Sequence, residues 1–165
     1  MANAATPYAP KQQRERRLLA EWLVLRFPGA RVQQQVRLGA YQPTIATDDL
    51  DRTELKVLGV WRRYADAIVF ERTQLILIEA SIPADVGYVS RLHLYRRLIP
   101  LTPELAEFVT LPVVMLYLCA IEDPVVTAMA REAGIRVEVH QPPWVADFIG
   151  TLERNKQRPP KSGGL

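Results

Sequence analysis

The sequence predicts a single α/β domain with a mixed central sheet and helices on both of its faces. Segments of helical period alternate along the chain with short apolar runs of strand length. Two of those runs, "VWRRYADAIVF" and "QLILIEASI", are separated only by the turn-like "ERT", which marks an antiparallel hairpin. The last third reads as strand, capped helix, strand, and that order demands a parallel crossover. A sheet with both kinds of pairing is mixed.

The elements follow in order. Between Gln12 and Phe27, Leu18, Trp22 and Leu25, with Leu19 and Leu23 beside them, recur at helical spacing until Pro28 and Gly29 end the helix. "ARVQQQVRL" then alternates, with Val32, Gln34 and Val36 on one face and Arg31, Gln33, Gln35 and Arg37 on the other, so a strand with one wet face is expected. Residues 39–59 show little periodicity and form a long connection. The hairpin occupies about Val60 to Ile82, and its second strand is apolar almost throughout, which places it at the centre of the sheet.

Val89, Leu92, Tyr95 and Leu98 give a helix over Tyr88 to Ile99, stopped by Pro100. "TPELAEF" restarts as a short helix with Thr102 as N-cap and Pro103 in the first position. "LPVVMLYLCAI" is a buried strand; "DPVVTAMAREAGI" is a helix with Asp123 as cap, Pro124 first and Gly134 closing it; "RVEVH" is the last strand. Trp144, Val145, Phe148, Ile149 and Leu152 mark a final helix. The predicted order is helix, three strands, helix, strand, helix, strand, helix.

With 165 residues the chain has room for one domain with a real core, and 48% hydrophobic against 24% charged residues excludes wholesale disorder. The domain is expected over residues 12–155, flanked by flexible ends at 1–11 and at the basic tail 156–165. "MANAATPYAP" has neither the basic start nor the apolar run of a secretory signal. The longest apolar segment, Phe108 to Ile121, is shorter than the roughly 20 residues a membrane-spanning helix needs. A cytoplasmic protein, or one packaged from there into a phage particle, is therefore expected, with no membrane partner. Lone Cys119 has no partner in the chain and reads as core.

A net charge of +3 leans mildly towards an anionic partner, and the basic residues cluster in "KQQRERR", "WRR", "YRR" and "NKQRPPKSGGL". Arg62, Arg63, Arg96 and Arg97 are the candidate nucleic-acid contacts in the two middle clusters. His93 and His140 lack metal-ligand spacing and read as surface residues. Trp22 and Trp144 read as core by their spacing, whereas Tyr41 and Trp61 near the long connection have either role open to them.

Each hairpin strand carries a carboxylate in its apolar run: Asp66 and Glu79. Burying an isolated charge is strongly unfavourable, so something must compensate them. For Asp66 by itself, a strand end reaching solvent or an ion pair with Arg62 or Arg63 suffices. A short hairpin also brings both side chains to one face and one end of the sheet, and converging carboxylates suit a hard cation such as Mg²⁺, which pairs naturally with phosphates.

The element order, with "ADAIVF", then "LILIEAS", then "RLHLYRRL", resembles the PD-(D/E)XK superfamily of restriction-endonuclease-like nucleases over roughly residues 12–141. The resemblance implies a restriction-endonuclease-like core that binds DNA and hydrolyses a phosphodiester with Mg²⁺, or Mn²⁺ in its place. Asp66 and Glu79 match the two metal-binding acids, and Glu15 in "RERRLLAEWL" falls where many members carry a third. The pattern departs in three places. Ala65 replaces a frequent proline, Arg91 a frequent glutamine, and Ser81 the lysine that orients the attacking water. Serine supplies no positive charge to stabilise an anionic transition state. Lys56 and Arg91 are the substitutes available for it.

Two expectations follow. One is a DNA-binding, Mg²⁺-dependent nuclease that uses Asp66, Glu79, Glu15, Ser81 and Lys56 or Arg91. The other is a chain that keeps the fold without the chemistry, as a structural or adaptor subunit of a nucleoprotein or phage assembly, by itself or as a homo-oligomer.

Overall fold

A computed structural model of the chain describes residues 11–39 and 63–156, and of residues 152–156 the backbone only. Tyr41, Lys56, Trp61 and Arg62, with most of the long connection, lie outside the described residues. The elements are α1 (Lys11–Arg26), β1 (Arg31–Leu38), β2 (Arg63–Phe70), β3 (Leu75–Pro83), α2 (Val86–Leu98), β4 (Val113–Ile121), α3 (Pro124–Glu132), β5 (Arg136–Val139) and α4 (Pro143–Lys156). The predicted order is present. Five strands form one sheet in the order β1-β2-β3-β4-β5. The first two pairings are antiparallel and the last two parallel, so the sheet is mixed.

β3 lies at the centre, and every residue from Leu75 to Ile82 is buried. Its alternation divides the core in two. Leu75 and Leu77 face a layer with Leu92 of α2 and Ala130 of α3, while Ile76, Ile78, Ala80 and Ile82 face Leu18, Leu19, Trp22 and Leu23 of α1 and Val145 of α4. Because β3 has no solvent face, its sequence is apolar apart from Glu79 and Ser81 rather than alternating. Cys119 is fully buried in β4, where burial pushes its thiol up to about 11.

The capping signals held for α3: the Asp123 carboxylate accepts from the N–H groups of Val125 and Val126, and Gly134, at φ +73°, closes the helix. Thr102 differs from expectation. "TPELAEF" forms two turns of 3₁₀ helix, and Thr102 makes no side-chain cap there. Its hydroxyl instead accepts from Gly39 N at 2.8 Å and donates to Leu98 O at 2.8 Å. The end of β1 is thereby tied to the end of α2, and a buried hydroxyl so used is no longer available to the helix.

β1 also departs from its predicted alternation. Val32 packs with the α1 layer, yet Val36 and Leu38 belong to the α2 layer. A regular strand would put Val32 and Val36 on one face. Gln35 has φ +51°, and Gln35 and Asp66 are the one opposed pair missing from an otherwise continuous β1–β2 register. β2 turns at the same point: Ala65 joins the α2 layer and Ala67 the α1 layer. Both strands of the ribbon change face together at Gln35 and Asp66.

Candidate functional site

The β2–β3 ladder runs from Phe70 opposite Leu75 to Ala67 opposite Ile78 and goes no further. Asp66 and Glu79 are the next opposed pair. Where the strands part, their carboxylates take over the backbone groups the ladder would have paired. Asp66 N donates to Glu79 Oε1 at 3.1 Å, and Ala80 N donates to Asp66 Oδ2 at 2.9 Å. An unpaired buried N–H is costly, so each acid compensates the opening of the sheet. Among the described residues the other oxygens make long contacts: Gln35 Nε2 to Asp66 Oδ1 at 3.5 Å and Arg91 to Glu79 Oε2 at 3.9 Å.

The two acids differ in exposure. Glu79 is 1% exposed, and burial, reinforced by the charge of Asp66, pushes its carboxyl up to about 8. Burial also raises Asp66, against the Ala80 N–H and the Arg91 guanidinium, which pull it down. Glu15 reaches the same place from α1, raised by burial, with Lys11 Nζ at 3.7 Å and the Tyr88 hydroxyl donating to it at 3.2 Å.

Beside the pair lies a cavity of about 290 Å³. Glu15, Lys11 and Arg16 of α1 form one wall, Tyr88 and Arg91 of α2 the other, and Gln35 and Asp66 complete it. Tyr88 is held by two neighbours: its ring stacks on Tyr117 at 5.6 Å, and the Arg91 guanidinium lies 4.6 Å from its centre. The hydroxyl of Tyr95, from the next turn of α2, is pushed up by burial and by the nearby Glu79 charge.

Of the residues expected from the sequence, Asp66, Glu79, Glu15 and Arg91 come together. Ser81 does not line the cavity. It is 1% exposed, donates to Pro83 O at 2.7 Å and shares a 2.6 Å hydrogen bond with Tyr117 Oη, which in turn accepts from Asp85 N at 2.7 Å. Its single proton is committed to holding the β3–α2 junction. Arg63, Arg96 and Arg97 are exposed but outside the cavity wall, and among the described residues Asp66 is held by Gln35 and the Ala80 N–H; Arg62, the other arginine considered for it, lies outside them. His93 is exposed on α2. Lys11, Gln35 and Tyr88 were not anticipated. Lys11 had a legible signal, four positions before Glu15 on a helix, and Tyr88 another, three before Arg91.

The donors that converge are all oxygens, which suits a hard cation held by one or two carboxylates with water completing the shell. Among the described residues no group of three or more His, Cys, Asp or Glu side chains is arranged to hold a metal ion. No helix among the described residues is long and apolar enough to cross a membrane.

Fold and site together define an α/β protein with a mixed five-stranded sheet and a carboxylate pair at its opening. No protein-family model matches the chain, nor does any curated protein or solved structure.

Proposed function

We propose that the chain is a divergent nuclease-like domain of the PD-(D/E)XK type that binds DNA and hydrolyses a phosphodiester with Mg²⁺. The observation that carries this is the pairing of Asp66 and Glu79 at the point where β2 and β3 part, with cationic side chains around them. Asp66 and Glu79 would hold the ion, with Glu15 supporting from α1. Bound there, Mg²⁺ would supply an activated water and neutralise charge on the phosphate.

The protein's own groups have separate tasks. Glu79 must lose its proton to become a ligand, and Arg91, 3.9 Å away, favours that loss. Lys11 and Arg16 draw a phosphate into the cavity. Arg91 is the described cation nearest Glu79, and it takes the role for which Ser81 lacks a charge. The test is nicking of supercoiled plasmid in Mg²⁺ or Mn²⁺ by wild type, Asp66→Ala and Glu79→Ala. Nicking by wild type that both variants lose supports the assignment, and equal nicking by all three sinks it.

Ser81 favours a second reading, a catalytically silent binding subunit of a nucleoprotein or phage assembly. The motif position of the lysine is a serine already committed to Pro83 and Tyr117. DNA binding without nicking by the folded wild type would select that reading.

A further inference from the structure

Two acids line the cavity, Glu15 and Asp66, and both are half-buried, so a phosphate that meets them must enter the space between α1 and α2. At about 290 Å³ the cavity is at the lower limit of small-molecule pockets, roughly 300 Å³. That admits one phosphate with its sugar. Double-stranded DNA is stiff over about 150 base pairs, and lowering one of its phosphates into such a space requires a sharp local deformation. A single strand bends freely.

The walls also say how a strand is held. Lys11 and Arg91 have side chains 60% and 52% exposed, and Arg16 is exposed beside them, so three cations ring a mouth with an acidic floor. That polarity suits a phosphate outside and a metal inside. Among the described residues that line the cavity the one aromatic ring is Tyr88, and it is packed against Tyr117 and Arg91 rather than free for a base. Contact is therefore made to the backbone.

We infer that the substrate of this site is a flexible single strand of DNA, free or at a frayed end, taken by its backbone without regard to base sequence. This rests on the nuclease-like reading above. The experiment is fluorescence anisotropy in Ca²⁺ at low salt, with a labelled oligonucleotide, its blunt duplex and the same duplex carrying a single-stranded tail. The protein is wild type or the surface variant Lys11→Ala/Arg16→Ala.

Single and tailed strands are expected to bind at least about tenfold tighter than the blunt duplex, with a log–log salt slope of about −2 for three cations. The variant is expected to lose most of that slope. Blunt duplex bound as tightly as single strand would overturn the inference and leave the nuclease-like reading standing. Single-strand preference unchanged in the variant would also overturn it, by moving binding elsewhere. Absence of binding to any of the three DNAs would remove both.

Discussion

Asp66 and Glu79 each hold the other's strand: the Asp66 N–H donates to the Glu79 carboxylate at 3.1 Å, and the Asp66 carboxylate accepts the N–H of Ala80, next to Glu79, at 2.9 Å. The acids therefore have a structural use before any ligand arrives. They compensate the backbone exposed where β2 and β3 part, and they keep two carboxylates together that would repel if both were charged.

Removing one acid separates these two effects. Asp66→Ala leaves the Ala80 N–H without its partner and is expected to cost about 1–3 kcal/mol in urea denaturation. Asp66→Asn keeps an acceptor oxygen and should cost less. In both variants Glu79 should titrate lower than in wild type, because the Asp66 charge that helps raise it is gone. Carboxyl-carbon NMR reads that change directly.

Stability should fall with rising pH. Glu79 is raised from 4.5 to about 8 in the folded chain, so between those values the folded state retains a proton that the unfolded state has released. Its stabilising contribution is full below pH 4.5 and is lost as pH rises through about 8, on the order of a few kcal/mol. Asp66 and Glu15, also raised, act in the same direction. Glu79→Gln should flatten most of the decline in melting temperature, and an unchanged decline in that variant would show that Glu79 is not its source.

Mg²⁺ should reverse this trend. A divalent ion takes the ionised acid, so binding competes with the proton on Glu79. The rise in melting temperature on adding Mg²⁺ should be small at pH 5 and largest above pH 8, and Asp66→Ala should abolish it. A rise independent of pH would place the ion elsewhere.

Ser81 is expected to resist restoration of a lysine. It is 1% exposed and bonded to Pro83 and Tyr117, so Ser81→Lys buries an ammonium and breaks the β3–α2 junction. Thermal unfolding should show a loss of roughly 3 kcal/mol or more. Ser81→Ala and Tyr117→Phe should each cost about 1–3 kcal/mol, with a double-mutant cycle showing coupling between them.

Thr102→Val tests the tie between β1 and α2. Loss of the hydroxyl leaves Gly39 N without its acceptor, at about 1–3 kcal/mol. Amide exchange at Gly39 should quicken more than at β3 residues.

The order of elements, the central place of β3 and the closure of α3 between Asp123 and Gly134 were all legible in the sequence. Each follows from local rules: period, apolar content and the chemistry of helix ends. The same rules placed Asp66 and Glu79 on neighbouring strands, but they left Lys11 in the flexible end, whereas it begins α1 one turn before Glu15. They failed at Thr102 and at β1. The Thr102 hydroxyl serves a backbone N–H 63 positions away, and no local pattern contains that distance. Gln35 carries a left-handed backbone that no alternation of residue types announces.

The sequence by itself thus determined a mixed α/β sheet and the presence of paired acids in it, because both are written in neighbours along the chain. Only the tertiary structure decided that the sheet opens at that pair, that Glu15, Lys11, Tyr88 and Arg91 close around it, and that Ser81 is turned away to Tyr117. Those facts depend on how α1 and α2 pack across opposite faces of β3, and burial in that packing, rather than residue type, sets the charge of Glu79.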